Sequence, residues 1–222
     1  ANYSNVNVDK LTGANDGSLQ SIMMAPTSYD LKGIPYCEPG DPYSQVHFRS
    51  ITFDNPYWVA ENNTFNEETN RFFGNGNLAF NMDLTPSMKI NAKYQIGMDY
   101  YTTHYQDIFG YGSQGKTGII DDYGESDMTV NQHVTAGFNW KITDKMTFDI
   151  TVGSEFDHAT LKEYDEYGEK FNFGGWNHIK NLAGTPQVSE KQLAERTVGF
   201  FYNISWDYNS MIFLNTTGRS DK

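Results

Sequence analysis

The chain has 222 residues, with 15 Tyr, 15 Phe and 4 Trp, yet only 38% of it is hydrophobic and its formal net charge is −12. That acidic balance argues against a nucleic-acid partner, whose phosphates it would repel. No stretch approaches the roughly 18 consecutive apolar residues of a transmembrane helix, so any meeting with a membrane is left to strands that alternate apolar and polar residues.

Taken in chain order, residues 3–9 alternate weakly and read as a first strand. Residues 10–69 read as a long connection holding a short helix over 18–25, with Asp16 or Ser18 as its cap and Pro26 as its stop. Cys37 lies in this stretch and stands alone, which excludes an internal disulfide.

The clearest pattern follows. Residues 71–83 place Phe72, Leu78, Phe80 and Met82 against Asn75, Asn77, Asn81 and Asp83. Residues 88–101 place Met88, Ile90, Ala92, Tyr94, Ile96, Met98 and Tyr100 against a polar set. Successive strand side chains point to opposite faces, so each segment has one apolar and one polar side. Residues 128–142, 146–156 and 197–208 repeat the pattern, with Gln132 the exception on an apolar face; a last run starts at Met211. Leu84-Thr85-Pro86-Ser87, Thr143-Asp144-Lys145 and Asn209-Ser210 are tight-turn sequences. Long connections at about 10–69, 102–126 and 158–195 alternate with these turns, and residues 162–170 read as helical or irregular. Short turns at one end and long loops at the other are the layout of a transmembrane barrel. The predicted fold is all-β: part of a large antiparallel transmembrane barrel of six or seven strands, with aromatics gathered toward the strand ends.

Several strings combine with this pattern. They are Ser28-Tyr29-Asp30-Leu31-Lys32-Gly33-Ile34-Pro35-Tyr36, then Asp54-Asn55-Pro56-Tyr57-Trp58, then Asn70-Arg71-Phe72-Phe73-Gly74, and finally Thr217-Gly218-Arg219-Ser220-Asp221. In this order and spacing the chain resembles the barrel portion of TonB-dependent transporters of the SusC/RagA family, over most of its length. The resemblance implies a 22-stranded barrel around an N-terminal plug in the bacterial outer membrane. It also implies import of nutrient oligomers, glycans more than peptides, with a SusD-like surface lipoprotein as partner and the TonB complex as energy source. On that reading residues 1–222 are a partial barrel domain cut from a larger protein. Plug, TonB box and C-terminal closing strand are not found, and outer-membrane lipid faces the apolar side. No cofactor is expected.

Site candidates follow from the loops. Sugars and peptides are gripped by aromatic faces and by polar side chains. Tyr29, Asp30, Tyr36, Tyr57, Trp58 and Asn63 are candidates in the first loop, Tyr105 and Tyr111 in the second, and Trp176 and Asn177 in the third. Asn75, Asn77, Asp99, Asn131, His133 and Asn139 are expected to face the lumen.

Other motifs weigh less. Residues 110–117 fit G-x-x-x-x-G-K-[ST], but the acidic stretch that follows is no phosphate-binding helix, and a flexible exterior loop is expected. Gly74, Gly76 and Ala79 mimic a dinucleotide fingerprint inside a strand. Asp121, Asp122, Glu125 and Asp127 have the oxygen ligands calcium takes, yet a solvated acidic loop is the stronger reading, and no metal is expected. His47, His104, His133, His158 and His178 are dispersed and no G-x-S-x-G elbow occurs, so no enzyme is expected. His133 with Ser205 is the one pairing an outer-membrane hydrolase would use. The competing function is a secreted, soluble β-sheet glycan-binding module, whose apolar face would pack against a second sheet.

Overall fold

The computed structural model describes residues 1–10 and 18–222. Strand β1 (Asn2–Asp9) comes first, followed by helix α1 (Ser18–Met24), the short hairpin β2 (Cys37–Glu38) and β3 (Asp41–Gln45), and helix α2 (Pro56–Asn62). Six long strands follow: β4 (Thr64–Thr85), β5 (Met88–Phe109), β6 (Ile119–Thr143), β7 (Met146–Glu169), β8 (Gln187–Tyr208) and β9 (Ile212–Asp221). The main sheet is antiparallel throughout, in the order β1-β4-β5-β6-β7-β8-β9, and it is not closed. No helix among the described residues is long and apolar enough to cross a membrane. The Asp16 cap expected for α1 lies outside the described residues.

The turns form as their residues dictate. In two of them a threonine hydroxyl accepts the N–H two residues on: Thr85 Oγ1 from Ser87 at 3.3 Å and Thr143 Oγ1 from Lys145 at 3.2 Å. At the third, Asn209 and Ser210 both have φ of 54°, left-handed residues at the centre of a turn that the Met211 N–H closes by donating to the Tyr208 carbonyl at 3.0 Å.

Cross-strand register turns the alternation of each strand into a single surface. Leu78 stands beside Tyr94, Tyr94 beside Val134, Val134 beside Ser154, and Ser154 beside Phe200. Phe80, Ala92, Ala136, Val152 and Tyr202 form the next row, and Trp140, Phe148, Trp206 and Leu214 a row nearer the turns. No second layer covers this face among the described residues: Leu78 is 74% exposed, Phe200 60% and Leu214 63%. The exception, Gln132, accepts a hydrogen bond from Tyr94 Oη at 3.0 Å, so its carbonyl is satisfied among apolar neighbours.

The belt has limits. On β5 it runs from Met88 to Tyr100, about 40 Å of strand and about 30 Å of height at a barrel's usual tilt, close to the thickness of bilayer hydrocarbon. Its upper edge descends across the sheet. Tyr100 and Met128 are apolar in one row, but on β7 and β8 the row nearer the turns already carries His158 and Arg196. A level belt crossing tilted strands must step down in this way.

The strands continue far beyond the belt, which corrects the predicted loop boundaries. Residues 102–109, 119–127, 158–169 and 187–196 are strand, and the connections shrink to 110–118 and 170–186. Residues 162–169, read as helical or irregular, lie in β7. Above the belt polar residues stand on both faces with only scattered apolar ones, so the alternation that reveals a strand lapses while the hydrogen-bond ladder does not.

Candidate functional site

The buried residues of the described chain gather at the end away from the tight turns. Phe48, Trp58, Val59, Phe65, Ile108, Ile120 and Phe171 are the buried hydrophobics, and they knit the first, second and third connections into a cap on the long strands.

Asp54 is the centre of that cap and fully buried. Its Oδ1 accepts from Gln45 Nε2 and from the Gln114 backbone N–H, each at 2.7 Å, and its Oδ2 accepts from Ser113 Oγ. Asn55 caps α2 by accepting the Tyr57 N–H at 3.0 Å, with Pro56 at the first helical position. Trp58 donates from Nε1 to the Pro42 carbonyl at 3.0 Å. Gly112, at φ +104°, passes so close that a Cβ there would lie 2.2 Å from the Tyr43 carbonyl oxygen. Thus the Asp-Asn-Pro-Tyr-Trp string and the glycine-rich string at 110–117 are two halves of one clamp. The phosphate-loop resemblance ends here: the N–H groups of Gly112, Ser113, Gln114, Gly115 and Lys116 are all spent on protein oxygens, and strand β6 follows instead of a helix. The expected flexible loop is a tied one.

Beneath the cap, on the face opposite the apolar belt, β4 to β8 present an acidic and aromatic wall. In one row stand Glu67, Tyr105, Tyr123, Asp165 and Ser189, and in the row above it Asp107, Asp121 and Tyr167. The Tyr105 and Tyr123 rings stack with centroids 4.8 Å apart and planes 11° apart. Lys10 Nζ lies 5.2 Å from the Tyr105 centroid and pairs with Glu67. Lys191 pairs with Glu163 at 2.8 Å. A groove of about 610 Å³ runs here, lined by Tyr105, Tyr123, Glu125, Glu163, Asp165 and Lys191 among others. Burial lifts the Asp107 carboxyl above the ordinary carboxylate range. Burial lifts Asp121 as well, aided by the charges of Asp165, Asp107 and Asp122. The Tyr167 hydroxyl, bonded to Glu169, is pushed up to about 12.

At belt depth the same face carries paired polar groups. Arg71 holds Asp99 with two bonds, of 2.9 and 2.5 Å. Asn131 donates to Asp157 at 2.5 Å, Asn139 donates to Asp149, and His133 stacks on Phe201. Arg219, in the Gly-Arg-Ser-Asp string, reaches Glu155 at 2.8 Å and Asp221 at 2.8 Å. Gly199 makes room for that span, since a Cβ there would lie 3.0 Å from Arg219 Nη2.

The six polar-face candidates, Asn75, Asn77, Asp99, Asn131, His133 and Asn139, therefore share the face opposite the belt. The loop candidates divide. Trp58 is 0% exposed and offers no surface to a ligand, which corrects its place among the substrate candidates. Tyr29 packs on Phe48, Asp30 accepts the N–H groups of Lys32 and Gly33 in a turn, and the Tyr36 carbonyl accepts from Val46. Asn63 accepts the Gly110 N–H at 2.8 Å, Asn177 donates to the Asn62 carbonyl, and Tyr111 packs on the Ile108, Ile120 and Phe171 cluster. Tyr57 and Trp176 remain on the surface, Trp176 stacked against Phe173 and His178. Tyr105 belongs to the wall. Its partner Tyr123, not among the sequence candidates, stands beside it through the pairing of β5 with β6, which the sequence of these segments does not mark.

Two further expectations change. Asp121, Asp122, Glu125 and Asp127 lie on strand β6 rather than in a loop, and Asp122 points to the other face; no group of three or more potential metal ligands occurs among the described residues. His133 stands level with Gly199 across β7, so Ser205 lies on the order of 20 Å farther along β8 and the two do not meet.

No protein-family model matches the sequence, and no curated protein matches it either. Solved structures do resemble the fold. The RagAB peptide transporter superposes with a TM-score of 0.60 at 12% identity, over 77% of this chain and 19% of that one. The RagAB peptide importer gives 0.60 in its closed-closed state and 0.56 in its open-open state, with the same identity and coverage. The chain thus spans about a fifth of the length of those proteins, and at such identity the likeness establishes the fold: an antiparallel sheet that is part of a β-barrel wall.

Proposed function

We propose that this chain is a section of the wall of an outer-membrane, TonB-dependent importer of the SusC/RagA type, which takes up nutrient oligomers together with a SusD-like lipoprotein. The observation that carries the reading is the uncovered apolar belt, about as tall as bilayer hydrocarbon, on strands whose other face is polar and paired. In water such a surface would collapse onto another layer; in lipid it needs none. The paired residues on the opposite face then line a lumen. The long polar strand ends and their clamped cap stand above the membrane, where cargo arrives. In this reading the chain carries no catalytic step, and coupling to TonB runs through other parts of the protein.

The experiment is an uptake assay with a fluorescent oligopeptide and a fluorescent oligosaccharide, in cells with and without the gene and with and without TonB. Uptake of one of them is expected to require both, and the protein to fractionate with outer membranes and need detergent. Undiminished uptake without the gene, or recovery of the protein in a detergent-free soluble fraction, would overturn the proposal.

A further inference from the structure

We infer that the wall beneath the cap is a subsite for the basic side chains of oligopeptides, with the Tyr105 and Tyr123 rings as its platform. The inference rests on the transport reading and names the cargo it favours. The chain displays the chemistry itself: Lys10 sets its ammonium over the Tyr105 ring and against the Glu67 carboxylate. A cation on a ring face with a carboxylate at its flank is a recognised binding arrangement.

One strand over, Tyr123 is stacked on Tyr105 and flanked by carboxylates, and Lys10 sits over the Tyr105 ring rather than its own. Asp165 stands directly opposite it and Asp121 and Glu125 lie two positions away on either side. The two lysines of the wall are already engaged, Lys10 with Glu67 and Lys191 with Glu163. Asp121 Oδ1 is shielded from solvent and accepts no hydrogen bond, and it lies two positions along β6 from Tyr123, whose ring lines the groove. Facing Asp121 across the ladder is Asp107, another carboxylate. A neutral sugar hydroxyl leaves that repulsion in place, whereas a lysine or arginine side chain relieves it and stacks on the ring. An extended peptide laid along the wall would point alternate side chains the same way, toward the rings.

The test uses the full-length transporter in detergent and a labelled lysine-rich decapeptide beside its lysine-acetylated counterpart, with affinity read by fluorescence anisotropy at low and high salt. The lysine peptide should bind about tenfold more tightly at low salt, and the gap should narrow at high salt. Asp165→Asn, and separately Asp121→Asn, should shrink the preference for the lysine peptide. Equal affinity for the two peptides, or a full preference retained in both variants, would overturn the inference and leave the transport reading standing. Failure of that reading shows separately, as uptake that ignores the gene.

Discussion

The Asp54 carboxylate accepts the backbone N–H of Gln114 at 2.7 Å, sixty residues away and across two connections. Gln114 sits at φ 49°, a left-handed conformation that side chains other than glycine resist, and the bond to Asp54 holds it there. The same carboxylate binds Ser113 and Gln45. Replacing it removes the acceptor from three donors at once. Asp54→Ala should cost the cap about 2–4 kcal/mol, because buried donors left without partners bear their full desolvation penalty. Hydrogen exchange should report it as lost protection over residues 110–118 with the belt segments of β5 and β6 unchanged. Loss spread evenly along those strands would contradict a local clamp.

Ile96 and Gln95 are neighbours on β5 and lie on opposite faces of the sheet. Ile96→Arg is expected to destabilise assembly in the membrane by about 2–4 kcal/mol, and Gln95→Arg to be tolerated. Heat-modifiable gel mobility of the full-length protein reads the folded fraction of each. Equal behaviour would mean that the faces are assigned wrongly.

Ser210 has φ of 54° in a loop where both central residues are left-handed. Ser210→Gly should raise stability by about 1 kcal/mol by removing the Cβ clash of that conformation, with Asn209 kept as a residue that tolerates it. A higher urea midpoint with an unchanged slope is the expected result.

Asp107 and Asp121 face each other across β5 and β6, and both hold their protons above the ordinary carboxylate range. A raised carboxyl pKa in the folded state means that the fold binds the proton more tightly than the unfolded chain does. Rim stability should therefore fall as pH rises from the ordinary carboxylate value through the raised one, and recover on acidification through the same window. Lys10 and the Tyr123 hydroxyl oppose the shift at Asp107, while Asp165 and Asp122 reinforce it at Asp121. Hydrogen exchange of the upper parts of β5 and β6 across that window measures the effect, and Asp121→Asn should flatten it. A rim that gains protection with rising pH would reverse the assignment.

The sequence alone determined the strands wherever one face must be greasy. From Met88 to Tyr100 the need to present hydrocarbon with every second side chain leaves a mark that no helix would make, and Thr85, Thr143 and Asn209 announce the turns. Above the belt polar residues stand on both faces and only scattered positions such as Ile108 and Ile120 are covered by the cap, so residues 102–109 and 119–127 carry no such mark. Only the ladder of backbone hydrogen bonds between strands decided that they are strand. The clamp was likewise invisible, because Asp54 and Ser113 are distant in sequence and nothing local ties a buried carboxylate to a loop it meets through folding. The wall followed from register: Tyr105 and Tyr123 stack, and Asp107 meets Asp121, because pairing of β5 with β6 sets those positions side by side.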